Sequence, residues 1–292
     1  MIRLATRSSA QARTQAEIVA SAITISSGGE PVELVFVETL GDQRADVPLH
    51  SIGGQGVFVK EVQQAVINGF ADIAVHSAKD LTLLPTPGLL IGAWCERRDA
   101  RDALIGSTLA NLSVGATVAT GSVRRRKQLG ALRPDLRFID LRGNIHSRLE
   151  KIPNGGAIVM AVAALQVLGL TERIAEIMDP KVMVPMIGQG CVAVECRADD
   201  DAIQVLLRRV DHPSTRRAVE IERSFLAELG AGCSMPVGAY VDDENILTTY
   251  MAAGAEITAR SVVFSESLAE VGDPHALAAQ LARNSRTALQ RS

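Results

Sequence analysis

The chain has 292 residues, 47% of them apolar and 22% charged, with 33 acidic against 30 basic side chains and a formal charge of −3. At about 100 to 200 residues per domain this length holds two or three domains, each able to close its own core, which excludes disorder over most of the chain. A charge near zero with 3% aromatics argues against a surface coated for nucleic acid and leaves few platforms for stacked bases.

Ile2 to Ala5 reads as a first strand, followed by a helix with Ala12, Ala16, Val19 and Ile23 on one face and Ser8 or Ser9 as its cap. Val32 to Val37 reads as a second strand; Phe58, Val62, Ala65, Val66 and Gly69 line a helix, and Ala71 to Val75 forms a third strand before the turn at Pro85-Thr-Pro-Gly88. From about Arg101 the pattern restarts, with strands at Thr117 to Ala119, Phe138 to Leu141 and Ala157 to Met160, and helices starting near Ser122, Asn144 and Ala163. Cys191 to Arg197 alternates like a strand returning to the first α/β layer. Beyond Asp211 a helix stops at Gly230, hairpin strands flank Asp242-Asp-Glu-Asn245, and a last helix starts near Pro274. The expected class is α/β, with a small α+β region at the C-terminal end.

In open parallel sheets ligands bind beyond the carboxyl ends of the strands. Arg7 and Ser9 follow the first strand, His76, Ser77, Lys79 and Asp80 the third, Thr120, Ser122, Arg124 and Arg125 the fourth, and Arg142 and Asn144 the next. These groups predict an anion-binding cleft between two domains. Between Ser122 and Lys151 nine basic residues face three acidic ones, an excess of six hidden by the neutral total. Arg124 to Lys127 fall in the first turn of a predicted helix, where each cation opposes the macrodipole by about 0.3 to 1 kcal/mol and a bound anion would reverse the penalty. The bland reading is a solvated basic face; strand-end placement on several strands favours the anion site. Asp80, the one acidic group among these strand-end residues, is a surface turn or, in such a cleft, the acid/base candidate.

Cys95, Cys191, Cys196 and Cys233 are too few for a disulfide scaffold and lack zinc spacing, so no metal is expected. The first three read as inert core thiols, whereas Cys233 lies in a Gly- and Pro-rich loop and reads as a nucleophile or attachment point. Gly53-Gly-Gln-Gly56 has neither phosphate-loop nor dinucleotide order and reads as a flexible active-site loop. Met1 to Arg7 lacks the apolar core of a signal peptide, and Ala157 to Leu170 is too short to span a bilayer. A cytoplasmic monomer with no membrane or nucleic-acid partner is expected.

Six motifs in order, Ala5-Thr-Arg-Ser-Ser9, Val75-His-Ser-Ala-Lys-Asp80, Thr120-Gly-Ser-Val-Arg-Arg125, Leu141-Arg-Gly-Asn144, Gly188-Gln-Gly190 with Glu195-Cys-Arg197, and Gly232-Cys-Ser-Met-Pro236, resemble the porphobilinogen deaminase family, also called hydroxymethylbilane synthases. The match runs from Ile2 to about Tyr240. It implies two α/β domains like those of type II periplasmic binding proteins, residues 1–95 with 190–208 and residues 100–186, and a small α+β domain of residues 213–292 carrying the cofactor. It also implies a transferase of porphyrin and heme biosynthesis that joins four porphobilinogen molecules head to tail, releasing ammonia, into a linear tetrapyrrole. The primer is a dipyrromethane held by a thioether to a cysteine matched by Cys233. Asp80 matches the catalytic aspartate, which contacts pyrrole N–H groups. Lys79, Asp80, Thr120, Ser122, Arg124, Arg125, Arg142 and Gly143 match residues at the cofactor, and Arg7, Ser9, Gln15, Ser77, Arg124, Arg142, Arg148 and Gln189 match residues at the substrate.

Three positions depart from the family pattern: Gln55 stands where lysine is frequent, Gly121 where serine is usual, and Val167 where arginine is usual. The competing reading is a non-catalytic cytoplasmic binding protein for a small polycarboxylate; an acidic-peptide or RNA-binding module is a third, disfavoured by the scarcity of aromatics.

Overall fold

The computed structural model describes residues 1–43, 56–230 and 236–290. The chain divides into two units, Met1–Arg98 with Gly190–Arg217 and Asp99–Gln189 with Ala218–Ser292.

The first unit is built on a five-stranded sheet of order β2-β1-β3-β10-β4, formed by β1 (Ile2–Arg7), β2 (Val32–Val37), β3 (Ile73–Ser77), β4 (Leu89–Trp94) and β10 (Val192–Arg197). β1, β2 and β3 are parallel, and the returning β10 is antiparallel to both β3 and β4. Helix α1 (Ala10–Ser27) starts on Ser9, whose hydroxyl accepts the Ala12 amide at 3.4 Å. It stops at Gly28, where a φ of 82° lets the amides of Gly28 and Gly29 close onto the Ile25 and Thr24 carbonyls. The α1 residues Ala16, Val19 and Ile23 pack with Leu4, Ile73, Val75 and Val194. The short α2 (Leu40–Gln43) precedes α3 (Lys60–Ile67), and Val62 and Val66 of α3 pack on Ala5, Ala74 and Leu89. Leu4 and Ala5 face opposite helices because side chains alternate along a strand. Gly92 of β4 leaves room for Leu207 of α7 (Asp201–Leu207); a Cβ there would lie 3.2 Å from that leucine's Cβ.

The second unit repeats this plan. Its main sheet has the order β7-β6-β8-β5-β9, from β5 (Asp102–Ile105), β6 (Thr117–Ala119), β7 (Arg137–Ile139), β8 (Ala157–Ala161) and β9 (Ile174–Ile177). β6, β7 and β8 are parallel, and β5 is antiparallel to β8 and β9. The central β8 is apolar and buried throughout, as a strand covered on both faces requires. Helices α4 (Val123–Leu132), α5 (Ile145–Leu149) and α6 (Val162–Val167) follow β6, β7 and β8. A separate meander of β11 (Val237–Val241), β12 (Ile246–Ala252) and β13 (Ser261–Ser267) lies with α9 (Pro274–Gln290), after α8 (Pro213–Leu229). The turn from β11 to β12 is held by the Asp242 side chain, which accepts the Glu244 and Ile246 amides at 3.0 and 2.8 Å.

The α/β class and the returning strand are as the sequence predicts. Element ends differ: β3 extends to Ser77 rather than ending at Val75, and α6 starts at Val162 on an Ala161 cap that offers no side-chain hydrogen bond. β4, β5, β9 and β13 carry no clear local signature. β5 has only four residues, β4 contains Gly92, and β9 and β13 are partly exposed.

Gly238 in β11 runs so close to the 184–185 segment that an added Cβ would lie 2.6 Å from the Pro185 oxygen and 3.0 Å from the Val184 oxygen. Both obstacles are backbone. Gly238→Ala is expected to cost about 1–3 kcal/mol, read as a lower urea midpoint at unchanged slope; an unchanged midpoint would show that the strand can retreat without loss.

Candidate active site

β1 and β3 are parallel, so Arg7 and the residues after Ser77 leave the sheet at the same edge. The chain turns there through a 3-10 segment, Ala78–Asp80, whose Ala78 amide donates to the Cys191 carbonyl at 2.9 Å. A small pocket at this edge is lined by Arg7, Gln15, Phe58, His76, Ser77 and Asp80. Four residues expected at the site, Arg7, Gln15, Ser77 and Asp80, are therefore together, with Lys79 in the same turn. Ser77 Oγ donates to Gln15 Oε1 at 3.1 Å, which fixes the amide's orientation. The Arg7 guanidinium lies 4.0 Å from the Phe58 ring centre. Its Nε donates to Asp42 Oδ2 at 3.1 Å and its Nη2 to Asp42 Oδ1. Thr39 Oγ1 donates to Asp42 Oδ2 at 2.7 Å. Burial pushes the Asp42 carboxyl upward, and the hydrogen bonds from Arg7 and Thr39 outweigh it, leaving the group below the usual carboxylate range. Ser9 accepts as the α1 cap through its oxygen, which leaves its O–H as a donor.

Beneath this edge lies a buried polar chain with no local sequence signature. Thr86 Oγ1 donates to Gln63 Oε1 at 2.9 Å, Gln63 Nε2 donates to both Glu195 oxygens at 3.1 and 2.8 Å, and His76 Nε2 stands 3.0 Å from Glu195 Oε2. It ties α3 to β3 and β10 directly behind the Ser77–Asp80 turn.

In the second unit Ser122 caps α4, its hydroxyl accepting the Arg125 amide at 3.4 Å. The arginines that follow do not face outward. Arg124 Nη2 donates to Asp102 Oδ2 at 2.6 Å, Arg125 Nε and Nη2 donate to Asp102 Oδ1 at 3.0 and 2.7 Å, and Gln189 Nε2 donates to the same oxygen at 2.8 Å. Asp102 is fully buried, and Arg124, Arg125 and Gln189 are buried around it. Burial alone would raise the Asp102 carboxyl, but the charges of Arg124 and Arg125 and the hydrogen bonds of Arg124 and Gln189 hold it far below the usual range. Two cations of the expected basic face are thus turned inward onto one aspartate of the unit. Arg126 pairs with Asp140, Arg133 with Asp135, and Lys127 Nζ donates to the Ile257 and Ala259 carbonyls. Arg124 and Arg125 at the helix start share one carboxylate of the chain itself.

Thr120, expected as a ligand hydroxyl, is also interior, and its Oγ1 accepts the Ser122 amide at 3.2 Å. Arg142, Gly143 and Arg148 stay at the turn after β7. Arg148 Nε donates to the Gly143 carbonyl at 2.7 Å and Lys151 Nζ to the Arg142 carbonyl at 3.1 Å. Gly143 has a φ of 114°, and a Cβ there would strike the Ser147 hydroxyl, so the turn needs glycine. Gly121 has its own local reason: a side chain would bring Cβ 2.9 Å from the Leu141 oxygen. Val167 is buried in α6. Cys233 and Gln55 lie outside the described residues. Burial pushes the Cys95 thiol up to about 12, with Asp211 adding to it, and Cys196 up to about 11. Both match the expected inert core thiols.

Among the described residues no helix is long and apolar enough to cross a membrane, and no group of three or more His, Cys, Asp or Glu could hold a metal ion. The pocket of the first unit offers an arginine, a hydroxyl and an amide, groups suited to binding a carboxylate. These features define a protein of two α/β units, in the first of which Arg7, Gln15, Ser77 and the half-buried Asp80 line one pocket at the ends of parallel strands. The chain belongs to the porphobilinogen deaminase family. Residues 2–205 match the family model "Porphobilinogen deaminase, dipyromethane cofactor binding domain" and residues 216–283 match "Porphobilinogen deaminase, C-terminal domain". The chain is 48% identical over 248 residues to porphobilinogen deaminase of Acidothermus cellulolyticus, covering 82% of this chain and 74% of that one. It is 45% identical over 243 residues to that of Roseiflexus castenholzii, covering 82% and 80%. Among solved structures, the methionine-binding protein MetQ aligns at 14% identity and a TM-score of 0.45, covering 74% of this chain and 92% of that one.

Asp102→Asn leaves two buried guanidinium groups without a countercharge and is expected to cost about 3–5 kcal/mol. The folded-state carboxyl lies below its unfolded value of about 3.9, so its contribution is complete above that pH and is lost as pH falls toward the folded value. Urea unfolding across a pH series should show the wild type losing stability below about pH 4 and the variant losing less; parallel curves would remove Asp102 from the acid response.

Proposed function

We propose that this chain condenses four porphobilinogen molecules head to tail, releasing ammonia at each step, to give the linear tetrapyrrole hydroxymethylbilane. The observation that carries this reading is the pocket at the β1–β3 edge, where Asp80 shares walls with Arg7, Gln15 and Ser77 in a chain of this family.

A dipyrromethane on Cys233 would supply the nucleophilic pyrrole to which the first new ring is joined. Arg142, Gly143 and Ser122 would hold its carboxylates, with Lys79 and Asp80 on the first unit. In this reading Arg7 receives a substrate carboxylate through its planar fork, and Ser9 and Gln15 add hydrogen bonds. Asp80 accepts pyrrole N–H bonds, stabilises the positive charge that develops as ammonia leaves, and moves the proton. Arg124, Arg125 and Gln189 act from behind: their bonds to the Asp102 carboxylate set the start of α4, and with it Ser122. Residues 213–292 would carry the cofactor, and the working unit would be a single chain in the cytoplasm.

Intact mass spectrometry should give the wild type, produced in a cell that makes porphobilinogen, the added mass of a dipyrromethane, and Cys233→Ser none. An unmodified wild type would favour the non-catalytic polycarboxylate-binding alternative. Asp80→Asn is expected to keep the primer yet consume porphobilinogen about 10²- to 10⁴-fold more slowly; near-normal turnover would take Asp80 out of the mechanism.

A further inference from the structure

Among the described residues two arginine–aspartate contacts differ in what can replace the aspartate. Around Asp102 the carboxylate is inaccessible and both arginines are nearly so, with side-chain exposures of 0%, 6% and 10%. In the Arg7–Asp42 pair the side chains retain 23% and 20% exposure, and Arg7 lines the Asp80 pocket. The surroundings of Arg7 are built to hold its fork in a set place. Phe58 lies under the guanidinium, and Gly41 lacks the Cβ that would collide with the Phe58 ring. The Gly41 amide donates to the Val57 carbonyl at 3.0 Å, and Thr39 holds Asp42 through its hydroxyl. Both fork positions used by Asp42, Nε and Nη2, are those a bidentate carboxylate ligand takes.

We propose that Asp42 is an internal competitor of the substrate: it occupies the Arg7 fork at rest and is displaced by a carboxylate of the incoming pyrrole. The inference rests on the reading of Arg7 as a carboxylate receptor. Exchange of one carboxylate for another never leaves the guanidinium unpaired at the pocket wall, and a ligand without a carboxylate cannot make the exchange. Asp42 thereby trades affinity for selectivity, since the apparent dissociation constant is the intrinsic one divided by the fraction of protein whose fork is open.

Asp42→Asn keeps the size of the side chain and removes its charge. Calorimetry with a pyrrole that bears acetate and propionate groups but no aminomethyl group is expected to give about fivefold to tenfold tighter binding than the wild type, with the KM for porphobilinogen falling in parallel. In an Arg7→Gln background the same change should produce no tightening, a coupling that a purely structural role would not show. Thr39→Val, which frees Asp42 without touching Arg7, should shift binding in the same direction and keeps the test open if the Asn variant does not fold. Unchanged or weaker pyrrole binding in the folded variants overturns the proposal and makes Asp42 a group that merely positions Arg7. Porphobilinogen consumption by the wild type, followed in parallel, reports on the parent reading separately: consumption without the tightening sinks the role of Asp42 alone.

Discussion

A carboxylate sealed inside protein must be paired or it neutralises, and the second unit is organised around one such group. Asp102 opens β5, takes the side chains of Arg124 and Arg125 from the first turn of α4, and takes Gln189 from the far end of the main sheet's chain segment. Arg124 also reaches the Val184 carbonyl, and Gln128 exchanges two hydrogen bonds with the same residue. Each partner removed would leave a charge in low dielectric, so strand, helix and returning chain hold one another in place. Val184 packs in turn on Tyr250 and Ala252, so the meander is fixed to the same network.

The first unit handles its charges differently. Glu195 is buried and takes two hydrogen bonds from Gln63, with His76 Nε2 3.0 Å away, which stiffens the strand behind the Ser77–Asp80 turn. At the edge itself Arg7 and Asp42 keep partial access to solvent. An interior ion pair gives a fixed scaffold, while a half-open one can exchange partners at little cost, because water and a new carboxylate both reach it. Asp80 sits where these two regimes meet, with a buried polar chain below and the half-exposed Arg7–Asp42 pair beside it.

Much of this was legible in the residues. The caps Ser9, Ser122 and Asn144, the stop at Gly28 and the return of Cys191–Arg197 follow from local rules, and strand-end placement brought Arg7, Ser77 and Asp80 to one edge. The arginine run is placed correctly by its spacing, and the contacts it makes inside the chain are not. Arg124, Arg125 and Lys127 stand in the first turn of α4, but their countercharges and acceptors come from Asp102, Ile257 and Ala259, between 22 and 132 positions away. A signal was present: cations at a helix start, where the dipole disfavours them, demand a countercharge, and Asp102 at the head of an apolar run was available. Glu195, Gln63 and Asp42 offered no comparable cue, since an isolated polar residue in a strand or helix looks the same whether buried or solvated.

The periodic elements, their caps and turns and the candidate aspartate can be read from the residues alone, because these depend on neighbouring side chains and backbone geometry. Which cations meet the protein's own carboxylates in its interior, and which stand at a pocket wall, emerges with the folded chain. Coulombic pairing depends on distance and burial, and both are set by chain segments that meet only after the sheets have formed.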